Sequence, residues 1–138
     1  MTTEAQDRIE HLKMIQGVIT RMAGNSAQMK AWAVSLVTAA FVFSGLSDDP
    51  HWLIGAGACV PVIAFWWMDA RYLHLEKCYR ALYEAVILNG AVKPFDLDYR
   101  PHAAGAGSVW NVALTWSVRN FYGALLVVVL GLLAILAK

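Results

Sequence analysis

Charge is scarce in this chain, and from three long stretches it is missing altogether. Lys, Arg, Asp and Glu make up 15% of the 138 residues, against about 25% in an ordinary soluble domain. Ala31–Leu46, Trp52–Met68 and Phe121–Ala137 contain none of the four. That distribution argues against a soluble globular fold and for a membrane protein. Cysteine is nearly absent too. Cys59 and Cys78 form neither a CxxC pair nor a zinc set, so a disulfide scaffold is excluded and both are expected to be reduced thiols. No basic block accompanies the net charge of +1, so nucleic acid is not an expected partner. GxSxG, HExxH, P-loop and Gly-rich dinucleotide motifs are all missing. So is the wider Arg-to-His spacing of a HEPN-type nuclease, since Arg8–His11 and Arg71–His74 are both too close. The expectation is a non-enzyme with no cofactor and no metal.

What the chain does have is apolar surface: 59% of its residues are hydrophobic, and six are Trp. Several Trp and Tyr sit near the ends of the apolar runs, where amphipathic rings favour the headgroup layer. Only Ser47-Asp48-Asp49-Pro50-His51 separates the first two runs, which reads as a transmembrane helical hairpin. Asp49 followed by Pro50 is a standard helix start. Asp48, Asp49 and His51 could instead hold a cation, although capping accounts for the acids more simply.

The amino-terminal segment 1–30 is polar and lacks a signal peptide's apolar core and cleavage site, so it is expected to be retained. Thr2 or Thr3 can cap its helix, with Glu4, Asp7 and Glu10 near the positive end of the dipole. Leu12, Ile15, Ile19, Met22, Ser26 and Met29 recur at alternating steps of three and four, a heptad seam. The seam continues through Ala33, Leu36, Ala40 and Phe43. It predicts one long helix over residues 3–46, with Gly24-Asn25 as the place for a bend. The second helix extends from Trp52 past a kink at Pro61 and into Asp69–Leu88. Asn89-Gly90 then caps it.

These elements divide the chain into a cytoplasmic helix 1–30, spans at 31–46 and 52–68, a cytoplasmic helix 69–89 and a connector 90–107. An interfacial segment and a third span fill 108–137. The predicted fold is all-α: a long antiparallel helical hairpin extending into the cytoplasm, plus a third transmembrane helix. If the arms are equal about Asp48-Asp49, Lys13 faces Glu84, Arg21 faces Glu76 and Lys30 lies near Asp69. All three are opposite-charge pairs, and they support the register more than they add stability.

Ala91–Gly107 carries Pro94, Pro101, Gly105 and Gly107 and is too broken for a helix. Within it, Pro94–Pro101 mixes aromatics with charges and either contacts a partner or folds back over the hairpin base. Ser108 caps the next helix. Phe121–Ala137, about 17 residues, is long enough to span with Arg119 snorkelling at one end. Arg8, Lys13, Arg21 and Lys30 precede the first span. Arg71, Lys77, Arg80, Lys93, Arg100 and Arg119 lie between the second and third, and only Lys138 falls opposite. By the positive-inside rule the amino terminus is cytoplasmic and the carboxyl terminus lies outside.

Asp69, His74 and Glu76 cluster where the second helix leaves the membrane, with Arg71 between them. They form either a proton-linked or metal site at the cytoplasmic mouth or ordinary interfacial charges paired with Lys30 and Arg21. His11, His74 and His102 fall at different levels, which argues against a joint metal site. Ala27, Ala31 and Ser35 follow a small-xxx-small pattern, as do Gly55 and Cys59, and serve packing within the chain or contact with a second copy. In an oligomer, Asn111 and Arg119 could line a pore or interface.

His11-Leu12-Lys13-Met14-Ile15-Gln16, Arg21-Met22-Ala23-Gly24-Asn25-Ser26, Lys30-Ala31-Trp32-Ala33-Val34, Trp67-Met68-Asp69-Ala70-Arg71-Tyr72-Leu73, Glu76 and Arg80-Ala81-Leu82-Tyr83 resemble a group of small, uncharacterised bacterial multi-pass (three-span) membrane proteins. The likeness fails over Ala91–Gly107. It implies the membrane hairpin and brings no catalytic residues; together with the charge placement, the expected location is the bacterial inner membrane with a periplasmic carboxyl terminus. The expected role is an oligomeric signalling or membrane-perturbing effector, for example in stress or phage defence, with the bilayer, further copies of itself and a cytoplasmic protein as partners. The alternative is a small membrane enzyme or transporter subunit built around Asp69, His74 and Glu76.

Overall fold

The computed structural model describes residues 3–45, 52–88 and 92–136, and all regular structure among them is helical. Helix α1 spans Thr3–Gly45 and α2 spans Trp52–Ile87. After a short 3-10 segment at Arg100–Ala106 come α3, Val109–Ala113, and α4, Trp116–Leu136. The expected tip Ser47–His51, its Asp49-Pro50 start and the Asn89-Gly90 cap lie outside the described residues.

At about 1.5 Å per residue, α1 is roughly 65 Å long and α2 roughly 54 Å. Both are uninterrupted: α1 passes through Gly24-Asn25 and α2 through Pro61. They pack side by side in antiparallel sense. The Arg8 guanidinium donates to the Ile87 carbonyl near one end. Midway, Lys30 meets Asp69, and beyond that Ala33 and Val37 share a cluster with Ala58 and Val62. Arg8 thereby supplies a donor to one of the carbonyls that a helix end leaves unpaired.

Two apolar clusters hold the assembly. Ile15, Ile19, Leu82 and Val86 form the first, and the connector closes over it through Val92, Leu97 and Tyr99. In the second, α4 presents Val118, Tyr122 and Val129 to Ala33, Val37, Ala58 and Val62. Ala33 and Ala58 are small enough to let the α1 and α2 backbones approach closely. Helices α1 and α4 are each long and apolar enough to cross a membrane.

The heptad expectation needs one correction. Ile15, Ile19, Ser26 and Ala33 are buried as the seam requires, but Leu36 and Phe43 are exposed while Val37 and Ser44 are buried. An α-helix has 3.6 residues per turn, so a straight helix drifts against a strict seven-residue repeat. Beyond Ala33 the buried line has moved on by one residue.

The connector is also more ordered than its prolines and glycines suggest. Asp96 accepts from the Asp98 amide at 2.9 Å, and Asp98 from the Arg100 amide at 3.1 Å. These two Asx turns feed the 3-10 segment, which tolerates Pro101 in its first turn. The connector folds back on the hairpin: the Tyr99 ring packs at a tilt against Tyr79, centroids 5.1 Å apart, and buried His11 bonds the Asp96 carbonyl at 2.7 Å. Beyond it, Ser108 accepts from the Asn111 amide at 3.3 Å and caps α3. The third helix then breaks at Leu114-Thr115, where the Thr115 hydroxyl donates to the Val112 carbonyl at 2.6 Å.

Leu82 is fully buried, whereas Leu88 is 80% exposed. Chemical denaturation of the detergent-purified chain, followed by circular dichroism, should show Leu82→Ala lowering stability by about 2–5 kcal/mol. Leu88→Ala should stay within about 0.5 kcal/mol of the parent.

Candidate functional site

Helices α1, α2 and α4 converge on one carboxylate. Asp69 on α2 is wholly buried. Its Oδ1 accepts from Ser26 Oγ at 2.5 Å, and its Oδ2 pairs with Lys30 Nζ at 2.5 Å. Lys30 Nζ also donates to Ser26 Oγ at 3.1 Å, which closes a triangle. Ser26 and Lys30 can share this work because residues four apart stand on the same helix face. Lys30 keeps 24% of its side chain exposed, leaving its ammonium partly hydrated while Asp69 is shut in.

From α4, Tyr122 completes the enclosure. Its ring is buried, and its hydroxyl lies near the Asp69 carboxylate but outside hydrogen-bonding geometry, without a partner among the described residues. An isolated buried carboxylate would be costly. Here one charge-assisted bond and one hydroxyl bond satisfy it, so the site is an electrostatic clamp between α1 and α2 with α4 laid against it.

The other expected cross-helix pairs take different partners. Lys13 pairs with Glu10 at 2.9 Å, and Arg80 with Glu76 at 2.7 Å, both along their own helices. Arg21 and Glu84 are exposed and make no ion pair among the described residues. Lys13, Arg21, Arg80 and Glu84 are exposed and gain little by reaching across, and a neighbour one turn away costs less side-chain entropy.

Asp69, His74 and Glu76 do not converge. Asp69 faces α1, and Glu76 bonds Arg80. His74 Nε2 lies 3.6 Å from Cys78 Sγ, with its Nδ1 buried and unpartnered among the described residues. No group of three His, Cys, Asp or Glu among the described residues could hold a metal ion. Burial pushes the Cys78 thiol above its usual range, so it stays protonated at neutral pH and is a poor nucleophile.

The small-residue ridge is not used within the chain: Ala27, Ala31 and Ser35 are all exposed on α1. Cys59 is half-buried against the second cluster. Gly55 belongs to α2, but its surroundings lie outside the described residues. Asn111 is exposed on α3, and Arg119 is exposed in the first turn of α4.

Tryptophans collect at the level of the clamp. Trp66 donates from Nε1 to the Ala113 carbonyl at 3.1 Å, tying α2 to α3. Trp67 packs on Trp110 with centroids 4.7 Å apart, while Trp116 is 75% exposed at the start of α4. Trp32, half a turn from Lys30 on α1, is also exposed.

Ser26 and Tyr122 are the members that sequence reasoning missed as site residues. Ser26 carried a usable signal, a hydroxyl in an otherwise apolar seam one turn before Lys30. Tyr122 looked like one more aromatic in an apolar run. No protein-family model, curated protein or solved structure matches this chain.

Removing one member of a buried pair leaves the other charge uncompensated. Lys30→Met should therefore cost about 3–5 kcal/mol in a denaturation measurement. Combining it with Asp69→Leu should recover most of that loss, because the uncompensated charge is then gone.

Proposed function

We propose that the chain is a small three-span inner-membrane protein that acts as an oligomeric signalling or membrane-perturbing module. In this reading the level of Lys30, Asp69 and the tryptophans is the cytoplasmic face of the bilayer. Trp32, Trp66, Trp67, Trp110 and Trp116 form the aromatic belt there. The apolar parts of α1 and α2 and the length of α4 cross the hydrocarbon. The amino-terminal half of α1 and the carboxyl-terminal half of α2 project inward as a stalk, and every Lys and Arg except Lys138 then falls on the cytoplasmic side.

The observation that carries this reading is the continuity of α1 and α2 through the clamp. A helix without a break cannot absorb a displacement locally. Movement at the far end of the stalk, where the connector packs, passes into the membrane part. A charged pair in or near a bilayer is also expensive enough that its presence points to a role. The outward ridge of Ala27, Ala31 and Ser35, with exposed Trp32 and Leu36 beside it, supports contact with a second copy. An enzyme or transporter site at Asp69, His74 and Glu76 draws no support from their separate partners.

Cysteine cross-linking in native membranes tests self-association. With Cys59 and Cys78 replaced by alanine, Ser35→Cys should give covalent dimers on oxidation, and the parent should run larger than a monomer in nanodiscs. Monomer alone in both measurements would overturn the proposal.

A further inference from the structure

A cleft of about 320 Å³ opens between α2 and α4, with Val62 and Trp66 on one wall and Arg119, Tyr122, Gly123 and Leu126 on the other. Its surface is almost wholly apolar, and Arg119 stands at one end. Gly123 leaves the α4 wall open, since a Cβ there would meet nothing within 4 Å. Trp66 is held as a fixed wall by its bond to the Ala113 carbonyl. Arg119 is exposed, and its guanidinium makes no ion pair among the described residues.

The order of these residues along the helices matters. Arg119 and Trp66 mark the end at the tryptophan level. Leu126 lies seven residues further along α4 than Arg119, about 10 Å deeper at 1.5 Å per residue. Val62 is one turn deeper than Trp66 on α2. The cleft therefore runs from a cation beside aromatic rings into purely apolar walls. That is the profile of a phospholipid: an anionic headgroup at the interface and an acyl chain below it.

We infer that this cleft holds one anionic phospholipid of the cytoplasmic leaflet, its phosphate on Arg119 and an acyl chain between α2 and α4. The inference rests on the membrane placement proposed above. A snorkelling arginine alone would need no groove beneath it, and an apolar groove alone would not select charge. Their alignment on one axis distinguishes this site from either.

Native mass spectrometry of the full chain, purified in detergent and given equal phosphatidylglycerol and phosphatidylcholine of matched chains, tests it. The expected result is one retained phosphatidylglycerol per protomer in preference to phosphatidylcholine. Arg119→Gln should reduce that preference about five-fold, the equivalent of about 1 kcal/mol for one basic contact. Arg119→Lys should keep most of it. Gly123→Leu, which fills the cleft with the charge intact, should abolish retention of both lipids while the helical circular dichroism spectrum is unchanged.

Equal retention of the two lipids by the parent, or an unaltered preference in Arg119→Gln, would overturn the lipid site. So would a dimer carrying no lipid, which would assign the cleft to a second copy. Sedimentation of carbonate-washed membranes separates the two readings. A chain that stays in the membrane but shows no lipid preference refutes this site alone, whereas a chain released by carbonate refutes the membrane placement as well.

Discussion

A carboxylate sealed between helices constrains everything around it. Asp69 has no exposure, and its stability in that position depends on Ser26 and Lys30 arriving from the neighbouring helix at bonding distance. Sliding α1 by one turn would separate both donors from the acceptor and leave a bare charge in an apolar setting, at a cost of about 3–5 kcal/mol. Apolar surfaces tolerate slippage because one Leu resembles the next. The ion pair does not, and it selects one register from several that the hydrophobic seam alone would permit.

Given that register, the rest of the molecule falls into two physically different halves. Towards the termini of the hairpin, Ile15, Ile19, Leu82 and Val86 bury aliphatic side chains beneath the connector. If that half is in water, the hydrophobic effect drives its assembly. Around Ala33, Val37, Ala58 and Val62 the residues are smaller, and α4 adds Val118, Tyr122 and Val129. If that half is in lipid, close packing and internal polar bonds must replace the hydrophobic drive. The clamp stands at the join between them. Tyr122 belongs to the second cluster and its hydroxyl lies near Asp69, so α4 is laid along the join.

Much of this is legible in the residues alone. Residue periodicity placed α1 and α2, because uncharged runs and a seam at steps of three and four leave few other structures open. Lys30 and Asp69 were legible as neighbours from hairpin symmetry. Lys13 and Glu76 were misleading because an acid or a base one turn away on the same helix competes equally well, and symmetry about a tip cannot weigh that competition. The one-residue drift at Val37 is a matter of helix geometry accumulating over several turns, invisible in a local window. Tyr122 could not be told from its neighbours, since nothing in an apolar run indicates which ring will meet a carboxylate from another helix. The folded connector depended on Asp96 and Asp98 capping successive turns, a local pattern that Pro and Gly content obscured.

The central claim is that α1 lies antiparallel along α2 in the register set by Asp69, within one chain. Disulfide formation measures it directly, because Cα atoms must approach to about 4.4–6.8 Å for a bond to close. In a chain with Cys59 and Cys78 replaced by alanine, Ile15→Cys with Leu82→Cys should cross-link rapidly and intramolecularly in native membranes. No cross-link, or one formed only between separate chains, would contradict the account.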